Sequence, residues 1–478
     1  MKRWQSRGFT CSIKYLSRMT EFLDTYYSGR RLKEGASLNP YMGHLWGEVT
    51  AVSGATAICN GFKAPVGALC EIIIEDGKAS SILAEVVAFS EDGLVLMPFD
   101  DLAGVCQGSR VKMVQKFPSV RVGPQLKGRV IDPLGNFIDK LPPPDINKFS
   151  VFHGRQVQAV DRRPNDEPLD VGVRVVNSIL TLARGQRVGL VAGSGVGKSS
   201  LLAMMTKHTT ADIVVVVLVG ERGREASEFI EETLGEAGLE NSVVVLATSE
   251  ASPVLRRKAN DTGHTIAEYF RDEGLNVLLL VDSLTRVAHA EREIGLSAGE
   301  PPTSKGYPPS VFSKLPRIME RGGMSDGDGS ITSIYTVLLE FESGDDPIVE
   351  VARSSLDGQI MLSREMADAG IYPAVNLKGS ISRLSQRVID KNLTDLARDF
   401  RRLWTKFEQN RDLIMVGAYE SGSDEELDRA IRMRKEMENF IEQDLIAGCS
   451  LSASIEQLDQ LMGRQFSGHQ VGHVVKDS

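Results

Sequence analysis

RGQRVGLVAGSGVGKSSLLAMM, residues 184–205, changes character twice. Arg187 to Val191 reads as a short buried strand, and Ser199 onward, with Leu201, Leu202, Met204 and Met205, reads as a helix. Between them Ala192, Gly193, Ser194, Gly195, Val196 and Gly197 carry little side chain, so their backbone N–H groups can turn toward an anion. Lys198 supplies a positive charge for the β- and γ-phosphates, and Ser199, followed by Ser200, brings a hydroxyl to where a Mg²⁺ ligand is needed. The pattern G-x-x-x-x-G-K-[ST] is met except at its first position, where Ala192 stands for glycine, and a small residue there still allows the turn. The dinucleotide pattern G-x-G-x-x-G fails, because Lys198 occupies the place of its third glycine. A Gly-rich turn that binds nothing is the alternative; the Gly-Lys-Ser triplet between a strand and a helix argues against it. The segment predicts binding of a nucleoside triphosphate together with Mg²⁺.

At 478 residues the chain has room for two to four domains. Its 42% hydrophobic and 25% charged residues are ordinary for a globular protein. The net charge of −9 argues against a dedicated nucleic-acid binder. Five cysteines, Cys11, Cys59, Cys70, Cys106 and Cys449, are scattered without C-x-x-C spacing, which suits a reducing cytosol and offers no metal site. The seven histidines show no ligand spacing either. The longest apolar runs, such as Ile213 to Val219, fall far short of the ~20 residues of a membrane span, and no secretory signal follows the basic start. A cytoplasmic protein is expected, reaching a membrane surface only through partners.

Four regions are expected along the chain. Residues 1–40 are basic, and Ile13, Leu16, Met19, Leu23 and Tyr26 recur at helical steps. That helix either packs on its own protein or docks onto a partner or an acidic membrane surface. Residues 41–117 form short β-type segments broken by Gly and Asp, which predict a small barrel. Residues 118–385 alternate apolar runs (RVGLV, IVVVVLVG, SVVVLAT, NVLLLVD) with helices such as Glu225 to Glu236 and Asp261 to Glu273. Such uninterrupted runs suit parallel strands covered on both faces, so the region predicts a doubly wound α/β domain with its ligand beyond the carboxyl ends of the strands. Residues 386–478 read as largely helical, with a frayed tail after Arg464.

Two further strand ends carry polar groups. NVLLLVD ends in Asp282, which suits either a carboxylate holding Mg²⁺ or a helix N-cap; the phosphate loop upstream favours the metal. VVVVLVGER ends in Glu221 and Arg222, and Glu221 is a candidate for orienting the attacking water. A structural ion pair of Glu221 with Arg222 or Arg224 is the other reading.

Four stretches together, VAGSGVGKSSLL, VGERGREASEF, the run from IAEYFRDEG to LPRIMER, and SSLDGQIMLSREMADAGIYPAVNLKGSISRL, resemble in order and spacing the rotary-type hexameric ATPase superfamily. They are most similar to the flagellar branch of the type III protein-export ATPases, over roughly His44 to Gln443. The resemblance implies an α/β RecA-like P-loop core, an N-terminal small β-barrel domain and a C-terminal helical domain. It implies a homohexamer with ATP at each subunit interface: Lys198 and Ser199 on phosphate and Mg²⁺, Glu221 as the catalytic carboxylate, Asp282 as the Mg²⁺-linked aspartate. Arg222 and Arg286 match basic positions lining the site, Tyr372 an aromatic packed on adenine, and Arg383 the arginine finger given to a neighbour's site. A regulator, stator-like, is expected at the N-terminal segment, with the export gate and chaperone–cargo complexes at the C-terminal domain, at the cytoplasmic face of the inner membrane at the flagellar base.

The virulence injectisome ATPases share these motifs and form the main alternative. The catalytic subunit of a rotary proton-translocating ATP synthase fits less well: Gly223 stands where it usually has Thr, and Ala226-Ser227-Glu228 replace its Gly-Asn-Asp run. The acidic SDEELD, residues 423–428, reads as a solvated helix start. A nucleotide-binding ring subunit without activity would have lost Glu221. A hexameric RNA translocase would show a basic barrel, whereas this one carries Glu48, Glu71, Glu75, Asp76, Glu85, Glu91, Asp92, Asp100 and Asp101.

Overall fold

A computed structural model describes residues 46–74, 80–152, 157–158, 160–339 and 346–463. The expected amphipathic helix of residues 1–40 and the tail after Arg464 lie outside the described residues.

Six strands come first: β1 (Trp46–Ser53), β2 (Thr56–Asn60), β3 (Leu69–Ile74), β4 (Ser80–Ser90), β5 (Gly93–Pro98) and β6 (Arg110–Gln115). They close into a barrel in the order β1-β2-β5-β4-β3-β6, with β6 returning to β1. Alternation along β3 turns Cys70 and Ile72 inward, where they meet Val49, Ala57, Cys59, Val86, Leu96 and Val111. Burial pushes the Cys59 and Cys70 thiols up to about 12, so both behave as small apolar side chains.

The core sheet contains β7 (Arg129–Ile131), β8 (Arg187–Ala192), β9 (Ile213–Glu221), β10 (Ser242–Thr248), β11 (Asn276–Asp282), β12 (Ser330–Leu338), β13 (Gly358–Met361) and β14 (Ile381–Ser382). Their order is β14-β13-β8-β12-β11-β9-β10-β7, and every pairing is parallel except that of β13 with β14. The valine-rich β9 shows why its apolar run is unbroken. Val214, Val216 and Leu218 face one core layer, and Ile213, Val215, Val217 and Val219 face the other.

Eight helices matter below: α1 (Arg174–Ile179), α2 (Lys198–His208), α3 (Pro253–Asp272), α4 (Leu284–Ser297), α5 (Arg364–Asp368), α6 (Lys391–Met415), α7 (Glu425–Ile441) and α8 (Leu451–Met462). Leu396, Phe400 and Leu403 of α6 and Met437, Phe440 and Ile441 of α7 enter the same core layer as Leu201, Leu202 and Met205 of α2. The C-terminal helices therefore share a core with the helix that opens at the phosphate loop. At SDEELD, Asp424 accepts hydrogen bonds from the N–H groups of Glu426 and Leu427 and caps α7, as the solvated helix start requires.

Barrel and core are locked by both apolar and charged contacts. Met97 and Phe99 pack with Val254 and Ile294, while the buried Glu85 of β4 is bonded to Arg257 and lies 2.9 Å from Lys258, both on α3. Both basic side chains are largely out of water, so this carboxylate is what makes their burial tolerable.

Two sequence expectations are corrected here. The helix expected over Glu225–Glu236 is broken: Gly223–Glu228 is α-helical, Phe229–Leu234 widens to a π-turn, and Gly235–Glu240 resumes the α form. The expected helix from Asp261 begins earlier, at Pro253, where Ser252 caps the first turn and proline at N1 lacks only an N–H that would go unpaired.

Candidate functional site

The phosphate loop leaves β8 after the fully buried Ala192 and enters α2 at Lys198. Gly197 sits at the helix N-cap with φ 87°, a conformation that favours glycine. A Cβ there would also come within 3.1 Å of the Tyr372 ring, which lies against the loop. The first intrahelical bond runs from the Leu201 N–H to the Gly197 carbonyl. The N–H groups of Lys198, Ser199 and Ser200 therefore precede the helical ladder and are available to an anion at this helix start. Ser199 is exposed on that first turn.

Three neighbouring strands converge beside the loop. Asp282 ends β11, and Glu221 ends β9, the next strand. Gly220, at φ 72°, bends the end of β9 where its register with β10 slips, and this turns Glu221. Lys198 Nζ lies 2.6 Å from Asp282 Oδ1 and 3.4 Å from Glu221 Oε1. Asp282 Oδ1 also accepts a hydrogen bond of 2.7 Å from the hydroxyl of Thr336, on the strand between β8 and β11. The Arg286 stem covers Gly220 on the other side.

The electrostatics follow from this packing. Burial opposes the Lys198 charge, but the Asp282 and Glu221 carboxylates outweigh it and hold its pKa above the ordinary lysine value. Burial also raises the Glu221 pKa, with the Asp282 charge adding to it and Lys198 and Arg286 opposing. A glutamate shifted upward in this way is a stronger base than an exposed one.

Asp282, held by the Thr336 hydroxyl, and Ser199 offer only oxygen ligands, which suits a hard cation such as Mg²⁺. Among the described residues no group of three His, Cys, Asp or Glu side chains forms a cage. A cation here would complete its shell with nucleotide oxygens and water, which is how Mg²⁺ ordinarily accompanies ATP.

Other expected residues lie apart. Arg222 is 81% exposed and, among the described residues, pairs with Glu225 at 3.6 Å. Arg383 is exposed just past the edge strand β14, with its guanidinium on the Arg353 carbonyl at 3.3 Å. Its N–H bonds the Asp357 carbonyl, and the Asp357 N–H bonds that of Arg187, so Arg383 is level with the first residue of β8. The phosphate loop follows the last. Five residue steps along the strand separate the two levels, roughly 16 Å.

Two residues at this site were missed in the sequence. Thr336 belongs to SITSIYTVL, a strand whose hydroxyl-bearing residues interrupt the apolar runs used to find the others; its β-branched residues were the available signal. Arg364 donates to the Ser194 carbonyl at 3.1 Å and braces the loop from outside, and nothing local in SREMAD marks it.

Comparison with known proteins fits this geometry. Residues 172–382 match the model of the ATP synthase alpha/beta family, nucleotide-binding domain, and residues 389–460 match that of the T3SS EscN ATPase C-terminal domain. The flagellum-specific ATP synthase of Pseudomonas aeruginosa is 46% identical, over 87% of this chain and 93% of that one. The chain belongs to the type III export branch of the ATP synthase alpha/beta family. This export ATPase is also similar to the assembled ATPase EscN of the enteropathogenic E. coli type III secretion system, with TM-score 0.81 and 39% identity over 87% of this chain and 100% of that one. EscN in complex with its central stalk EscO matches with TM-score 0.80, 39% identity and the same coverage. As an export ATPase of this family the chain is an ATP-hydrolysing, nucleotide-binding enzyme. No helix among its described residues is long and apolar enough to cross a membrane.

Proposed function

We propose that this chain is the Mg²⁺-dependent ATPase that energises flagellar type III protein export. The observation that carries the reading is the convergence of Lys198, at the start of α2, on Asp282 and Glu221 at the ends of two adjacent parallel strands beside the phosphate loop. The backbone from Ala192 through Gly193, Ser194, Gly195, Val196 and Gly197 cradles the phosphates, and Lys198 neutralises the β- and γ-oxygens. Ser199 and Asp282 hold Mg²⁺, with Thr336 fixing the Asp282 carboxylate and Ser200 continuing the helix start. Mg²⁺ supplies charge neutralisation on the phosphates and on the leaving group. Glu221 orients water in line with the γ-phosphate and takes its proton, while Tyr372 forms the wall for the base.

Arg383 stands too far along the sheet to reach its own phosphate loop, which supports a finger given in trans. A cation on the developing γ-phosphoryl charge from a neighbouring copy contributes ~10³–10⁵ in rate and ties hydrolysis to assembly. We read the assembly as a homohexamer at the cytoplasmic face of the inner membrane, with Arg222 near the interface. Residues 1–40 dock a regulator, and the C-terminal helices face the gate and cargo. Similarity to EscN in complex with its stalk supports a stalk-like partner. Resemblance to a flagellum-specific ATP synthase favours flagellar export; the likeness to EscN supports the second reading, an injectisome ATPase.

Glu221→Gln tests the assignment. ATP binding should stay within about twofold while turnover falls at least ~10²-fold, the usual contribution of a positioned base. Near-normal steady-state hydrolysis would remove Glu221 from the mechanism. Deleting the gene and scoring filaments and motility distinguishes flagellar export from the second reading.

A further inference from the structure

The loop between α7 and α8 is tied directly to the base wall of the nucleotide site. Gln443, 9% exposed, donates its backbone N–H to the Tyr372 carbonyl at 2.8 Å. Its side-chain amide is fully engaged. The oxygen accepts the Arg174 N–H at 2.7 Å, and the nitrogen donates to the carbonyls of Gly172 at 2.8 Å and Ala447 at 2.7 Å. Arg174 in turn donates to the carbonyls of Phe440 and Glu442, at 2.7 and 2.5 Å, pinning the end of α7. The same loop meets α2 at its far end: a Cβ on Gly448 would lie 2.6 Å from His208 Nδ1.

An amide that holds three hydrogen bonds, two to the Gly172–Arg174 segment and one across its own loop, has one seat. If the loop shifts, the Tyr372 carbonyl loses its donor and the ring loses its fixed distance from Gly197, whereas the phosphate loop is held from β8 and α2. We propose that Gln443 is a positioning residue for base recognition, so that how α7 and α8 sit on the core sets ATP affinity through Tyr372. The inference rests on reading Tyr372 as the base wall.

The test compares full-length wild type, Gln443→Ala and Tyr372→Ala for binding of ATP and of inorganic triphosphate, which lacks a base. Gln443→Ala should bind ATP about tenfold more weakly, a change worth ~1.4 kcal/mol. Its triphosphate affinity should stay within about twofold of wild type, since it would lose hydrogen bonds remote from the phosphates. A purely structural role would weaken both ligands together. Equal losses, or no loss for ATP, overturn the proposal. An unchanged ratio in Tyr372→Ala overturns the base-wall reading and the inference with it. A changed ratio there but not in Gln443→Ala overturns the inference alone. Should Gln443→Ala fail to fold, Gly448→Ala displaces the loop against His208 with Gln443 intact, and the same selective loss is expected or the proposal falls.

Discussion

Glu221 and Asp282 differ little in sequence context, each following a run of valines and leucines, yet they are placed differently. Asp282 is held by Lys198 and Thr336, while Glu221 is reached by Lys198 only at 3.4 Å and its pKa is raised by burial. A raised carboxyl pKa means that the proton is taken up earlier as pH falls, so base function should fade above the ordinary glutamate range. The ¹³C carboxyl resonance that disappears in Glu221→Gln should titrate above that range; titration at or below it would contradict this environment. Thr336→Val leaves Asp282 without its hydroxyl donor. Apparent Mg²⁺ affinity in ATP hydrolysis should drop about 10–100-fold, the usual effect of removing a partner from a metal-binding group. Nucleotide binding measured in a chelator should be unchanged. The phosphate loop was legible because its chemistry is local: small residues, then Lys and Ser, between a strand and a helix. Thr336 was not, since its importance comes from the strand order that inserts it between β8 and β11.

Within α3, the buried His264 shows how an element can carry a pH sensitivity unrelated to catalysis. Its Nδ1–H donates to the Asn260 carbonyl at 2.8 Å, and Nε2 lies 3.0 Å from the Tyr335 hydroxyl. Burial, with the Arg321 charge adding, lowers its pKa from 6.5 to about 3. The unfolded chain takes up this proton near pH 6.5 and the folded chain only near about 3. Stability from this group is therefore complete above 6.5 and is lost progressively on acidification toward 3. Urea midpoints should fall across that window, and more shallowly in His264→Gln. Identical slopes would assign the acid sensitivity to other groups. Elements as such were read unevenly. Runs of Val and Leu gave β9, β10 and β11, because strands covered on both faces need no polar alternation. The partner strand SITSIYTVL escaped because Ser330, Thr332 and Thr336 find partners that only the folded sheet supplies, in Asn276, the Gly185 N–H and Asp282.

At the level of the whole molecule, barrel, α/β core and C-terminal helices were all visible in the changing texture of the chain. Texture could not reveal that α6 and α7 share a core layer with α2, or that Glu85 ties the barrel to α3, because both depend on contacts far apart in sequence. Arg383 is the clearest case. Its sequence context marks only an exposed arginine, and the resemblance alone suggested a finger; the hydrogen bonds through Asp357 to Arg187 fix its level on the sheet. Mixing Lys198→Ala with Arg383→Ala subunits should restore part of the activity that each lacks alone, since some junctions then pair an intact loop with an intact finger. Absence of recovery while assemblies still form, seen by light scattering with the ATPase assay, would sink the shared site.

If Arg383 serves a neighbour's phosphate loop, as proposed, its placement also governs how output should depend on copy number. A row of copies with two free ends leaves one idle phosphate loop at one extremity and one idle guanidinium at the other, however long it grows. Only a circle has no extremities. Specific activity should therefore climb with each added copy and level off once the row bites its own tail.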